Sequence, residues 1–507
     1  MKLKLSAVCV ATTLLVGCVG GATQSVRNLI PGQLAADQPI LAQVDKTYSP
    51  GLLAVGHDED RYRNQSLGLG LVSHPEAERY INKQLDRLKQ ASGITGLPGQ
   101  AYLFADTALG ARASPDGNIY IPYVVLRDID STDELAALLA HELAHTIRNH
   151  NSSDLFVQVQ KKAVMAAGLL ANYKSGDSGV MRGSDEKLIE NVFTTLMVSD
   201  GFINPGWTRR QELEADKLGM DILIVAGYNG DAMFTLLDKM AAWEERNKTE
   251  QSQRNALIDQ MLMVNDPGLA ELPFGDKIGS LLDRSAIGIG SVVNRLNQNH
   301  DSAEKRYDDL LAYVDVHYPD APAPTQEVRS WRAIAKSQKA ERIWQGLTRV
   351  VEARNAVAEG DLSSAEKRIR TAVNPHTNNQ NFLRQSFYEL RAAQQQKASM
   401  QQNLALGMNG AYPSFLMHVE QAQLTGDKDP ATAKKLMSTF DQYGRPPTYY
   451  QYVITMAESA SLNVDALALV AECTAKYIGD GISCGSQSGT KNTDISYGSL
   501  MKSLAPR

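Results

Sequence analysis

Histidine is scarce in this chain, nine in 507 residues, so two of them four positions apart stand out. They are His141 and His145 in the run His141-Glu142-Leu143-Ala144-His145. On a helix, residues four apart lie one above the other, so both imidazoles can reach one ion. Glu142 sits beside the first histidine, where it can serve as general base towards a water polarised by that ion. A hydrolytic zinc also needs a third protein ligand and one open position. The run from Arg209 to Asp216 offers carboxylates for this purpose. Glu212 and Asp216 are four apart and share a helix face, so one could hold the ion while the other holds a ligand histidine from behind.

Such groups act together only if rigid elements carry them. Ser131-Thr132-Asp133-Glu134 reads as a capping box that opens a strong helix, with Leu135, Leu138 and Leu139 on its core face. From Pro75 to Gln90 the apolar positions Tyr80, Ile81, Leu85 and Leu88 recur at helical spacing. Ala101–Ala105 and Asn118–Ile121 are short β-prone runs, and Gly110, Pro115 and Gly117 punctuate the loop between them. Asn118–Ile121 is expected to form an edge strand beside the site, on which an extended peptide could lie. The apolar run Ala163–Leu170 is far too short to span a bilayer and reads as a buried helix. His317–Thr325 is proline-rich and reads as a stiff linker, and everything after it reads as helical.

Composition narrows the class of protein. Lys+Arg total 51 against Asp+Glu 57, a net charge of −6, which argues against a nucleic-acid partner needing a basic surplus. Mean hydropathy is below zero, which excludes a polytopic membrane protein. Lys2 and Lys4 precede a short apolar run, and Leu15-Val16-Gly17-Cys18 resembles the bacterial lipobox, whose cysteine becomes N-terminal and lipid-modified. Val19 follows, where retention at the inner membrane would call for aspartate, so an outer-membrane anchor facing the periplasm is expected. With Cys9 removed and Cys18 lipidated, Cys473 and Cys484 remain as a candidate disulfide in an oxidising compartment.

The two metal-binding runs together resemble the HtpX and CAAX-prenyl-protease family of zinc metallopeptidases, whose pattern is H-E-x-x-H followed by S-R-x-x-E-x-x-A-D. Thr208-Arg209, Glu212 and Ala215-Asp216 fall on the second motif, which assigns Glu212 rather than Glu214 to the metal. His150 sits where soluble members often carry a histidine, and Gly110–Ile121 is similar to the family's N-A-F-A-x-P-G-G-x-I-x-V segment. The segment from His300 to Arg306 resembles an H-P-x-x-x-x-R segment that returns to the active site. Gly110 stands in place of the family's asparagine, Thr208 in place of its serine and Asp301 in place of its proline.

The resemblance implies one Zn²⁺ held by His141, His145 and Glu212, with Glu142 as base. His300, Arg209 and Arg306 are candidates to stabilise the oxyanion, His300 first; alternatively, His300 is an extra ligand that closes the site. Asp216, Arg209, His150 and Arg306 are expected to support the ligands. Beyond the linker, Ala356, Gly360-Asp361, Ala365, Ala372 and Pro375 resemble the turn and second helix of a tetratricopeptide repeat. Tyr449, Tyr450 and Tyr452 read as core or groove wall before peptide-binding face.

The expected architecture is α+β and mostly helical. A signal peptide (1–17) and lipidated tether (18–45) precede a zincin-like peptidase domain with a small β-sheet (46–316). A proline-rich linker (317–327) leads to an all-α, tetratricopeptide-like domain (328–507). The resemblance suggests a lipid-anchored periplasmic endopeptidase acting on unfolded or misassembled envelope proteins, with a protein partner possible on the helical domain. A chaperone or assembly factor with a gated or structural metal is the alternative.

Overall fold

The computed structural model describes residues 38–150, 209–246 and 303–477, apart from 52, 53, 67, 107–109, 244, 245, 359 and 427, together with Cys484. The signal segment with Cys18, the run Ala163–Leu170, and His300 lie outside the described residues. Arg209 is described only as the first residue of its helix.

Helices α1 (Ile40–Gln43), α2 (His57–Gln65) and α3 (Pro75–Ser92) precede the strands β1 (Ala101–Phe104), β2 (Arg112–Ala113) and β3 (Ile119–Pro122). Then come α4 (Val125–Asp128), α5 (Thr132–Ile147), α6 (Arg209–Val225) and α7 (Ala303–His317). Helix α5 begins where its capping box requires. The Ser131 hydroxyl accepts from the Glu134 N–H at 3.0 Å, and the Glu134 carboxylate accepts from the Asp130 N–H at 3.0 Å. Every residue from Thr132 to Thr146 is buried, so α5 is a central helix rather than a surface one. It is packed by α3, by α6 and by the sheet.

The sheet runs in the order β1-β3-β2, with β1 and β3 parallel and β2 antiparallel to β3. Residues Asn118–Ile121 therefore do not form an edge: β3 is the central strand, and the expectation of an edge strand there is corrected. The cause is a tight return of the chain. Ser114 N–H donates to Asn118 C=O and Gly117 N–H to Ser114 C=O, with Gly117 at φ 76°, which sets Ala113 opposite Ile119. The edge beside α5 is β2. Alternation gives the sheet two covered faces. Leu103, Ile119 and Ile121 join the main core, whereas Tyr102, Phe104 and Tyr120 pack with Leu71 and Tyr412 from the C-terminal part.

The C-terminal part is all-helical: α8 (Arg329–Ala335), α9 (Gln338–Ala358), α10 (Leu362–Ala372), α11 (Asn381–Ala393), α12 (Lys397–Met408), α13 (Phe415–Thr425), α14 (Pro430–Gln442), α15 (Tyr450–Ser459) and α16 (Asn463–Tyr477). From α9 onward they pack in consecutive pairs joined by short turns, a helical repeat arrangement. Between α9 and α10, Gly360 takes φ 78° and the Asp361 carboxylate caps the Ser364 N–H at 2.9 Å. Tyr449 and Tyr450 are buried in the second core, with Tyr452 packed against it. Cys473 and Cys484 form a disulfide at the end of α16.

The proline-rich segment is held against the start of α5. Asn229 donates to Pro324 C=O, Glu327 N–H to the Asp133 carboxylate, and Thr132 N–H to Glu327 C=O, each at 2.7 Å. One apolar core extends from Ile40 through Leu390, with Trp331 fully buried and its indole donating to Ile129 C=O. Helix α2 also joins the two parts. Asp60 accepts from Ser114, Asn118 and Tyr120 on the sheet side, while Gln65 donates to Pro413 C=O and Ser66 accepts from the Phe415 N–H. No helix among the described residues is long and apolar enough to cross a membrane.

Candidate metal centre

Helix α5 presents His141 and His145 one turn apart, with their Nε2 atoms 3.2 Å from each other. Helix α6 brings Glu212 against both: its carboxylate oxygens lie 3.8 Å from His141 Nε2 and 3.9 Å from His145 Nε2. Close approach of the two helices makes this possible. A Cβ on Gly219 would fall 3.1 Å from the His141 backbone nitrogen, tighter than an ordinary contact, so the glycine lets α6 lie close against the motif.

The three ligand atoms lie within 4.8 Å of one another and all three residues are buried. Tetrahedral zinc with bonds of about 2.0–2.1 Å separates its donors by about 3.3–3.5 Å, so the cluster is already near that spacing. The donor set, two imidazole nitrogens and one carboxylate, suits zinc, and one oxygen of Glu142 is buried there without a hydrogen-bond partner. These residues fit a catalytic zinc ion, with three ligands and a base brought together among the described residues.

The two ligand histidines differ in their electrostatic surroundings. Burial holds the His145 imidazole well below its ordinary pKa, helped by the charges of His141, His150 and Arg306, so a lone pair stays available. For His141, burial is outweighed by the hydrogen bond and charge of Asp216 and by the charges of Glu212 and Glu142, and its pKa rises. Burial pushes Glu142 up to about 7, opposed by His141, the Ala113 N–H and Arg112 and aided by the Glu212 charge.

Behind the ligands, Asp216 lies 3.0 Å from His141 Nδ1. Arg306, arriving on α7, grips both Asp216 oxygens at 2.8 and 2.7 Å and reaches Glu212 at 3.0 Å. Asp216 is held down at about 2: its burial is overcome by the Arg306 charge and the hydrogen bonds from His141 and Arg306. His150 Nδ1 is 2.9 Å from His145 Nδ1, and its Nε2 is 3.4 Å from Glu214, which also pairs with Arg148. The structure thus brings together His141, Glu142, His145, His150, Glu212, Asp216 and Arg306. Glu214, Arg148 and the Ala113 N–H are additional. Glu214 was visible in the sequence only as a carboxylate two residues past Glu212, and its partner His150 lies beyond the end of α5.

Two histidines one turn apart, a third ligand from a neighbouring helix and a buried glutamate beside the first histidine define a zinc-dependent metallopeptidase centre. Residues 75–314 match peptidase family M48. The chain is 25% identical over 198 residues to the beta-barrel assembly-enhancing protease of Escherichia coli (strain K12), covering 38% of this chain and 39% of that protein. It is 26% identical over 174 residues to the mitochondrial metalloendopeptidase OMA1 of Schizosaccharomyces pombe, 34% of this chain and 47% of the relative. Metalloprotease LoiP of Escherichia coli (strain K12) is 26% identical over 165 residues, 32% and 60% of the two chains. The matched part thus spans about two fifths of the assembly-enhancing protease's length.

Proposed function

We propose that this chain is a zinc endopeptidase of the bacterial envelope, held to a membrane by lipid on Cys18 and acting on unfolded or misassembled envelope proteins. The observation that carries the catalytic reading is Glu142, a buried carboxylate with an unpartnered oxygen beside a three-donor site. A structural zinc site would be closed by four protein ligands and need no base. Zinc bound by His141, His145 and Glu212 supplies Lewis acidity, polarising the scissile carbonyl and acidifying water. Glu142 takes the proton of the attacking water and delivers it to the leaving amine. The Ala113 N–H of edge strand β2 donates to Glu142 and orients it, and an extended substrate is expected to approach along that edge. Arg306, and His300 from outside the described residues, are the candidates to face the developing oxyanion.

The envelope setting is supported by the lipobox-like run at Leu15–Cys18 and by the name of the assembly-enhancing relative. Labelled palmitate should enter the wild-type chain in a bacterial host and not Cys18→Ala. A second reading, a client-binding assembly factor whose metal site is gated, is favoured by burial: His141, Glu142 and His145 are each no more than 2% exposed. The two readings separate on a reduced, unfolded outer-membrane protein incubated with the soluble form lacking residues 1–18. Fragments formed by wild type but not by Glu142→Gln support the peptidase. Stable binding by both with no fragments supports the assembly factor.

A further inference from the structure

The two ligand histidines are supported in different ways, and the difference assigns a task to Glu214. His141 and His145 point their Nε2 atoms at each other and at Glu212, so Nε2 is the ligand atom of each. A histidine that offers Nε2 to an ion carries its proton on Nδ1 and needs an acceptor there. Beside His141 Nδ1 stands the Asp216 carboxylate, 3.0 Å away.

For His145 the acceptor is another imidazole, His150 Nδ1, at 2.9 Å. Accepting at Nδ1 obliges His150 to keep its own proton on Nε2, and that atom faces the Glu214 carboxylate at 3.4 Å. Glu214 is in turn paired with Arg148, the residue that ends α5. The hydrogen bonds thus run in one direction, from His145 to His150 to Glu214, with each donor fixing the tautomer of the next. His150 is 5% exposed and cannot turn freely to a water acceptor.

We propose that Glu214 is a positioning residue of the zinc site, acting through His150 to orient His145 and fix its protonated nitrogen away from the ion. This rests on the zinc-peptidase reading above. It requires Glu214 to matter only by way of His150, which a merely structural ion pair with Arg148 would not.

The test is zinc affinity, measured on the purified chain lacking residues 1–18 by competition with a chromophoric chelator. Cobalt substitution and its visible absorption serve as a second readout. Glu214→Ala is expected to weaken zinc binding about 10-fold and to alter the cobalt spectrum, and His150→Ala to do at least as much. In the double variant Glu214→Ala should add less than about two-fold, because its route to the metal is already gone. Glu214→Gln keeps an acceptor oxygen and should fall between, about three-fold weaker than wild type. If Glu214→Ala does not fold, Glu214→Gln decides: a three-fold loss supports the proposal and wild-type affinity overturns it. Independent, multiplying effects of Glu214→Ala and His150→Ala also overturn it. Failure of the wild type to bind zinc would overturn the peptidase reading itself, a distinguishable result.

Discussion

Replacing Arg306 with methionine tests how the centre is held together. The guanidinium makes a two-pronged contact with Asp216 at 2.7 and 2.8 Å and a third contact with Glu212 at 3.0 Å, all of it buried. Methionine fills much of the same volume but leaves the buried Asp216 and Glu212 carboxylates without the guanidinium they share. Removing one partner of a buried ion pair costs about 3–5 kcal/mol, mostly as the penalty for the charge left behind. With a denaturant dependence of about 3 kcal/mol per molar, the zinc-free midpoint in urea should fall by about 1–2 M. Zinc restores a positive charge beside the same carboxylates. At a free concentration of about 100 times its Kd it should recover about 2.7 kcal/mol. Arg306→Lys, a point charge that cannot fork, should lie between the two. Equal zinc-free midpoints for wild type and Arg306→Met would mean that Arg306 does not neutralise the buried carboxylates.

Three further outcomes follow from other parts of the chain. Gly219→Val should separate α6 from α5 and weaken zinc binding at least about 10-fold by withdrawing Glu212, measurable by chelator competition. His74 is held down to about 4, chiefly by burial and then by the charges of Lys339 and His376. Its stabilisation is present above its unfolded pKa of about 6.5 and is lost as pH falls from there towards 4, at most about 3 kcal/mol. Urea midpoints at pH 7 and pH 4.5 should show a smaller acid loss in His74→Phe than in wild type. The Cys473–Cys484 bridge spans 11 residues, so replacing both with serine should cost at most about 3 kcal/mol in the C-terminal helices and leave zinc affinity unchanged.

Much of the catalytic helix could be read from its residues, because each signal was local. Ser131 and Glu134 are three apart, and His141 and His145 are four apart, spacings that one helix satisfies by itself. The start of α3 at Pro75 and the two β-prone runs are equally local. Strand order was not legible. The strand that displaces β3 from the edge has only two residues, Arg112 and Ala113, too few to show alternation, and the turn that returns it lies in a glycine-punctuated loop. The role of Glu214 was hidden for another reason. Its contact is with His150, 64 positions earlier, and nothing in either segment alone requires the other. The continuous core across the proline-rich segment was also unreadable, since the hydrogen bonds that pin Glu327 to the start of α5 join residues nearly 200 positions apart.

The proposed mechanism makes Glu142 the base of a zinc-loaded peptidase. Its most direct measurement is the initial rate of peptide-bond cleavage by wild type and Glu142→Gln, each shown to carry one zinc per chain. Loss of a positioned general base should lower that rate by about 10²–10⁴-fold while zinc content and the unfolding midpoint stay the same. Equal rates at equal zinc content would contradict the account.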